Sequence, residues 1–134
     1  MSAAIAAKLV QPNHRLDFLP KHCEQYHISF ELGVYRLMDV ACPDYSGGFW
    51  HFYEVSNGGF FIALDRDSPV QLIWQDNYFN SEMSAQAAGI AVSLMMLSDL
   101  AFSCDAERFS NKSHLLREFA LDHTEAGLIF GFID

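Results

Sequence analysis

The sequence predicts an α+β fold. A small antiparallel sheet of about three to four strands packs against a central buried helix, with flanking helices at both ends. Three observations predict it. Helix-patterned segments open and close the 134-residue chain, and strand-patterned segments lie together between them, which argues against a βαβ array. The block Tyr45-Ser46-Gly47-Gly48-Phe49-Trp50-His51-Phe52-Tyr53-Glu54-Val55-Ser56-Asn57-Gly58-Gly59-Phe60-Phe61 reads as a hairpin rich in aromatics. Its Asn57-Gly58 pair is a strong turn signal, because tight hairpin turns take positive φ at both central residues. The stretch from Ala85 to Phe102 is apolar nearly all round, as a helix in the middle of a core should be.

Taken in order, residues 1–14 read as a flexible tail of small residues ending in Gln11-Pro12-Asn13, ahead of a single domain over 15–134. Asp17 can cap a helix from about Phe18, with Pro20 tolerated in its first turn. Ser29 can cap a second helix, in which Phe30, Val34, Leu37, Met38 and Ala41 share one face and which Pro43 stops. Phe49 to Val55 and Phe60 to Leu64 form the hairpin arms. Asp65-Arg66-Asp67-Ser68-Pro69 is a turn, and Val70, Leu72 and Trp74 alternate with Gln71, Ile73 and Gln75 in a third strand. Ser81 or Ser84 caps the long helix of about 84–103. A further helix spans roughly 107–122, and Thr124 caps a last short one with Leu128, Ile129, Phe132 and Ile133 in one stripe.

Composition bounds the function. At 51% hydrophobic and 19% charged residues the chain is globular. The long apolar stretch contains Gln86, Ser93, Ser98 and Asp99, and mean hydropathy is only +0.07, so a buried helix is expected rather than a membrane span. Three cysteines without a C-x-x-C pair, and a start with no charged region before its apolar run, fit a reducing cytoplasm. Net charge is −9, and its placement is uneven: residues 37–107 hold ten acids against one base, Arg66. An acidic surface repels phosphates, so direct nucleic acid binding is not expected.

Candidate chemistry is sparse. His22, Cys23 and His27 invite a metal site, but a spacing of five places the two histidines on different helix faces, and no metal or cofactor is expected. The same residues read as surface or boundary positions, and Cys23, Cys42 and Cys104 as small core residues. His51 shares a strand face with Phe49, Tyr53 and Val55. A general base needs a partner carboxylate or nucleophile; Glu54 lies on the opposite face, Tyr53 or a residue of another element could supply the partner, and no catalytic residue is assigned. Trp50, His51, Asn57, Gly58 and Gly59 are expected to be structural. The glycine pairs match no phosphate loop.

The acidic loops are the stronger candidate surface: Asp44, Asp65, Asp67, Asp76 and Glu82. They raise the question of DNA mimicry. A domain of this length has a diameter of about 36 Å. Duplex DNA of that length carries about 20 phosphates, at one charge per ~1.7 Å. The net charge of −9 is less than half of that, so an extended mimic is disfavoured and a local acidic patch is not.

Three blocks in this order resemble the ArdB/KlcA antirestriction family: Arg15-Leu16-Asp17-Phe18-Leu19-Pro20, the aromatic hairpin, and Asn77-Tyr78-Phe79 with Glu82-Met83-Ser84-Ala85-Gln86-Ala87-Ala88-Gly89-Ile90. The resemblance covers about residues 15–134. Phe49 and Phe61 stand where some relatives are expected to have Tyr, and Gln86 where Asp is expected. The first residues and 104–114 are the least family-like. The resemblance implies a cytoplasmic protein of mobile DNA, such as a plasmid or genomic island. It would inhibit host type I restriction endonucleases while largely sparing methylation, without being an enzyme. The implied partner is the type I restriction-modification enzyme, met directly or indirectly, with no membrane and with the protein a monomer or weak homodimer. Two alternatives remain open: an acidic competitor for the restriction enzyme's DNA site, and a small enzyme using His51.

Overall fold

A computed structural model describes residues 4–134. Five strands and five α-helices follow one another as β1 (Ala7–Leu9), α1 (Arg15–Cys23), α2 (His27–Ala41), β2 (Trp50–Val55), β3 (Phe60–Leu64), β4 (Val70–Trp74), β5 (Phe79–Met83), α3 (Ala85–Ser103), α4 (Ala106–Leu121) and α5 (Ala126–Ile133). The α+β class and the central helix are as the sequence predicts. The strands, however, divide between two antiparallel sheets, β1-β2-β3 and β4-β5.

Two strands differ from expectation. Within the segment expected to be a loose tail, Ala7–Leu9 pairs antiparallel with β2, Ala7 opposite Val55 and Leu9 opposite Tyr53. Residues 1–3 of that tail lie outside the described residues. Phe79–Met83, expected as the approach to a helix, is a strand because β4 pairs with it, Val70 opposite Met83 and Trp74 opposite Phe79. Ser81 therefore lies in β5, and Ser84 is the cap, its hydroxyl accepting from Ala87 N–H at 3.1 Å. Asp105 caps α4 in the same way, accepting from Arg108 N–H at 3.1 Å. Three expected caps do not form. Asp17 lies inside α1, which starts at Arg15, and Ser29 inside α2, which starts at His27; Thr124 does not cap α5, which starts after Glu125 with no side-chain cap.

The core explains the layers. On one face of the three-stranded sheet, Phe52 and Phe60 pack against Phe18 of α1, and Phe30 of α2 packs on Phe60. On the other face Phe61 stacks on Tyr53 and on Phe119 of α4. Every residue of β3 is consequently buried. Burying each such large side chain stabilises by roughly 1.5–3 kcal/mol.

Helix α3 covers the open edge of β3, and two residues permit this. Gly89 brings the helix backbone against the strand: a Cβ there would lie 2.6 Å from Ala63 Cα and 2.5 Å from the Ile62 carbonyl oxygen. Ser93, fully buried, accepts from Ile62 N–H at 3.2 Å and donates to the Ile62 carbonyl at 3.4 Å. Both backbone groups of a buried edge residue are thereby satisfied. Helix α3 is the one helix among the described residues long and apolar enough to cross a bilayer, and here its residues Ala87 to Leu94 are buried within the protein.

Candidate functional site

The hairpin block is built by local chemistry and then anchored. Its turn is not of the expected two-residue type. Gly58 N–H donates to the Val55 carbonyl at 2.9 Å, and Val55 N–H donates to the Gly59 carbonyl at 2.9 Å, leaving Ser56, Asn57 and Gly58 as a three-residue loop. Only Gly58 takes positive φ, 96°, as in a type I turn followed by a bulge. Asn57 does two further things. Its Oδ1 accepts from Gly59 N–H at 3.0 Å, and its Nδ2 donates to the Leu115 carbonyl at 2.8 Å, fixing the turn to α4. Gly59 leaves room for that docking, since a Cβ would lie 3.3 Å from Leu115 Cβ. Trp50 is buried and donates from Nε1 to the Tyr45 hydroxyl at 3.2 Å.

His51 does have a carboxylate partner, one that strand parity within β2 cannot show. Ala63 is opposite His51 in the register, and Asp65 is two residues further along the same arm, so its carboxylate comes diagonally across the same face. His51 Nε2 lies 3.2 Å from Asp65 Oδ1. The half-exposed Phe49 ring lies edge-on to His51, and Arg15 sits between Phe49 and Phe52, 4.6 and 4.0 Å from their centroids. A His–Asp pair can hold a proton and orient an imidazole. Two clefts of the surface, about 450 Å³ between β1 and α1 and about 730 Å³ between α2 and α3, are lined by other residues.

The five acidic candidates do not form one patch. Asp44 is held by Arg66, Nη1 to Oδ1 at 3.2 Å and Nη2 to Oδ2 at 2.9 Å, and that bidentate contact lowers its carboxyl pKa. Arg66 also donates from Nε to Ser68 Oγ and from Nη2 to the Pro69 carbonyl, so the 65–69 turn closes around its one cation. Asp67 is exposed on that turn. Glu82 is opposite Gln71, near the same end of the β4-β5 ribbon, whereas Asp76 lies at the other end, where the ribbon turns back. Asp44 and Asp65 thus face a cation and an imidazole, and Asp76 stands apart.

That far turn holds Tyr78, whose Asn77-Tyr78-Phe79 block carries part of the resemblance but no role in the sequence reading. Tyr78 is 98% exposed with φ 53° and ψ 35°, and its N–H donates to the Gln75 carbonyl at 3.0 Å. Asn77 Nδ2 donates to the Phe132 carbonyl at 2.7 Å. Nothing in the amino-acid pattern marks Tyr78 as left-handed or exposed; only the pairing of β5 does.

His22, expected near the surface, is buried at 2% exposure and stacks on Phe60 with centroids 4.5 Å apart. Its Nδ1 lies 3.0 Å from Lys112 Nζ, which also donates to the Gly58 carbonyl at 3.0 Å. An ammonium only donates, so Nδ1 accepts and the proton resides on Nε2. Nε2 finds no hydrogen-bond partner, and Glu54 Oε1 at 3.5 Å is a charge contact only. Burial first, and then the Lys112 charge, push the His22 pKa down to about 4. Burial likewise pushes the Cys23 thiol up to about 12, which makes it inert, while Cys104, expected in the core, is exposed. Among the described residues no three His, Cys, Asp or Glu side chains converge as metal ligands.

The comparisons with known proteins agree with this architecture. The family model for antirestriction proteins matches residues 43–134. The antirestriction protein KlcA of Escherichia coli is 38% identical over 137 residues, covering 97% of this chain and 94% of that protein. The uncharacterized protein YfjX of Escherichia coli K12 is 37% identical over 130 residues, covering 93% of this chain and 85% of that protein. A solved structure from work on KlcA and ArdB superposes with a TM-score of 0.91 at 36% identity, covering 100% of this chain and 98% of that one. The KlcA and ArdB proteins are described as having a novel fold and antirestriction activity against type I DNA restriction systems in vivo but not in vitro. With the sequence blocks, the fold and these relatives in agreement, the chain belongs to the ArdB/KlcA family of antirestriction proteins.

Proposed function

We propose that this protein protects incoming mobile DNA in the cytoplasm from host type I restriction endonucleases, largely sparing methylation, and that it does so without catalysis. The observation that carries the reading is the end-to-end likeness, at a TM-score of 0.91 and 36% identity, to a structure from work on proteins with antirestriction activity against type I DNA restriction systems in vivo. Their lack of activity in vitro favours a route that needs a cellular state or a second factor over simple occupancy of the enzyme. Extended DNA mimicry fits the surface poorly, because Asp44 is neutralised by Arg66 and Asp65 faces His51.

The test is phage plating on cells with an active type I system, with and without the protein, while methylation is scored in the same cells. The expected result is restored plating with modification retained. Unchanged plating would overturn the reading. The His51–Asp65 pair keeps the enzyme reading as a second, and a folded His51→Ala variant that still protects would remove it.

A further inference from the structure

The tip of the β4-β5 ribbon carries a side chain that the fold does not use. The Tyr78 ring is 98% exposed, so it buries almost nothing, yet its backbone is left-handed at φ 53°. For a bulky residue that region is disfavoured, because Cβ crowds the following carbonyl, whereas Gly or Asn occupies it readily. A non-glycine residue kept there with no packing in return is the pattern of a side chain retained for contact with something else.

The tip is rigid where the ring is free. Asn77 ties it to the Phe132 carbonyl at 2.7 Å, and Phe79 and Trp74 each pack on the Phe132 ring with centroids 5.8 Å apart. Gly131 allows this, since a Cβ there would lie 3.2 Å from the Phe79 ring. A fixed platform presenting an aromatic ring with few rotatable bonds loses little entropy on association.

The surroundings say what it meets. The turn that carries Tyr78 also borders a shallow cleft of about 320 Å³, lined by Val40, Ile73, Trp74, Gln75 and Asp76. Val40 is 74% exposed, and Asp76 is exposed with no ion-pair partner among the described residues. Across residues 37–107 the one cation, Arg66, is already held by Asp44. We infer that Tyr78 and Asp76, with the apolar floor of Val40 and Ile73, form the contact surface for a protein partner that offers an apolar slot rimmed by basic side chains. A second copy of this chain that presents the same tip brings another Asp76 carboxylate to the contact and no basic rim. The inference rests on the antirestriction reading and gives it a docking point.

The experiment sets stability against function. Tyr78→Gly and Tyr78→Asn remove the ring and suit the left-handed backbone, so thermal midpoints equal to or above the parent's are expected. Plating protection in cells with an active type I system is expected to fall at least tenfold in both. Tyr78→Phe keeps the ring and retains protection, Asp76→Lys loses it, and Phe102→Ala, which removes an aromatic 95% exposed elsewhere, is without effect. Full protection by Tyr78→Gly and Tyr78→Asn overturns the inference. So does a fall of their thermal midpoints together with protection, which would make the ring structural. Sedimentation that shows a dimer of the parent, lost in Tyr78→Gly, assigns the tip to self-association and overturns it too. No protection by the parent itself overturns the antirestriction reading, a result distinct from the others.

Discussion

His22 shows how much one buried side chain can decide. Stacked on Phe60 and bonded to Lys112, it is held neutral, with a pKa near 4. An unfolded chain restores it to about 6.5. Between those values the unfolded state binds the proton that the folded state refuses, so stability is complete above about pH 6.5 and falls as the pH drops toward the folded value. Urea midpoints measured from pH 7 to pH 4 should decline in the parent. They should decline less steeply in His22→Phe, which keeps a ring on Phe60 and removes the titrating group; equal slopes would assign the loss to other groups. The sequence states that His22 exists and that a helix carries it. Its burial depends on Phe60 and Lys112, which reach it from distant parts of the chain, and no local pattern encodes that. The same holds for Asp65 beside His51.

At the scale of elements, legibility follows the range of the interaction that forms each one. Helices α2 and α4 are readable from a one-sided apolar stripe, and α3 from its long apolar run and the cap Ser84, all of which are local, whereas the Asp105 cap of α4 goes unread. Strand β5, Phe-Asn-Ser-Glu-Met, has little strand propensity and exists because β4 pairs with it. Strand β1 is likewise made by β2. The Asn57-Gly58 signal located the hairpin correctly but not its turn, because Asn57 is also engaged with Leu115 of α4. Close packing between elements leaves a clearer mark. Gly89→Ala drives a Cβ into Ile62 and Ala63 and should destabilise by about 1–3 kcal/mol or more. Gly127→Ala in α5 meets nothing within 4 Å and should be neutral or stabilise by up to about 1 kcal/mol. Denaturant midpoints of the two variants should therefore move in opposite directions or, for Gly127→Ala, not at all.

For the whole molecule, the fold class and the family were legible, and the arrangement of charge was not. Ten acids against one base along residues 37–107 reads as one negative face. The structure spreads those acids over helices, strands and turns, places Glu82 and Asp76 at opposite ends of the β4-β5 ribbon, and neutralises Asp44 internally. A competitor for a DNA site needs its carboxylates aligned and unpaired. Joint Asp67→Asn and Glu82→Gln substitution should accordingly leave plating protection within about twofold of the parent, a change of under ~0.5 kcal/mol by mass-action arithmetic. A loss of a hundredfold or more would restore the acidic-competitor reading.

Helix α3 also sets how the molecule opens. A strand with one unpaired side is the ordinary place where amides exchange with solvent and where a neighbouring chain adds on. Here the outer side of β3 is sealed by Gly89 and Ser93, so the Ile62 amide stays shielded until α3 has left its seat. Since α3 also packs on α2, α4 and α5, its departure dismantles the core. Deuterium uptake at Ile62 should therefore track global unfolding. The species prone to strand addition is then the chain that has lost α3, so slowing that loss, rather than trimming exposed apolar side chains, is the way to keep this protein dispersed.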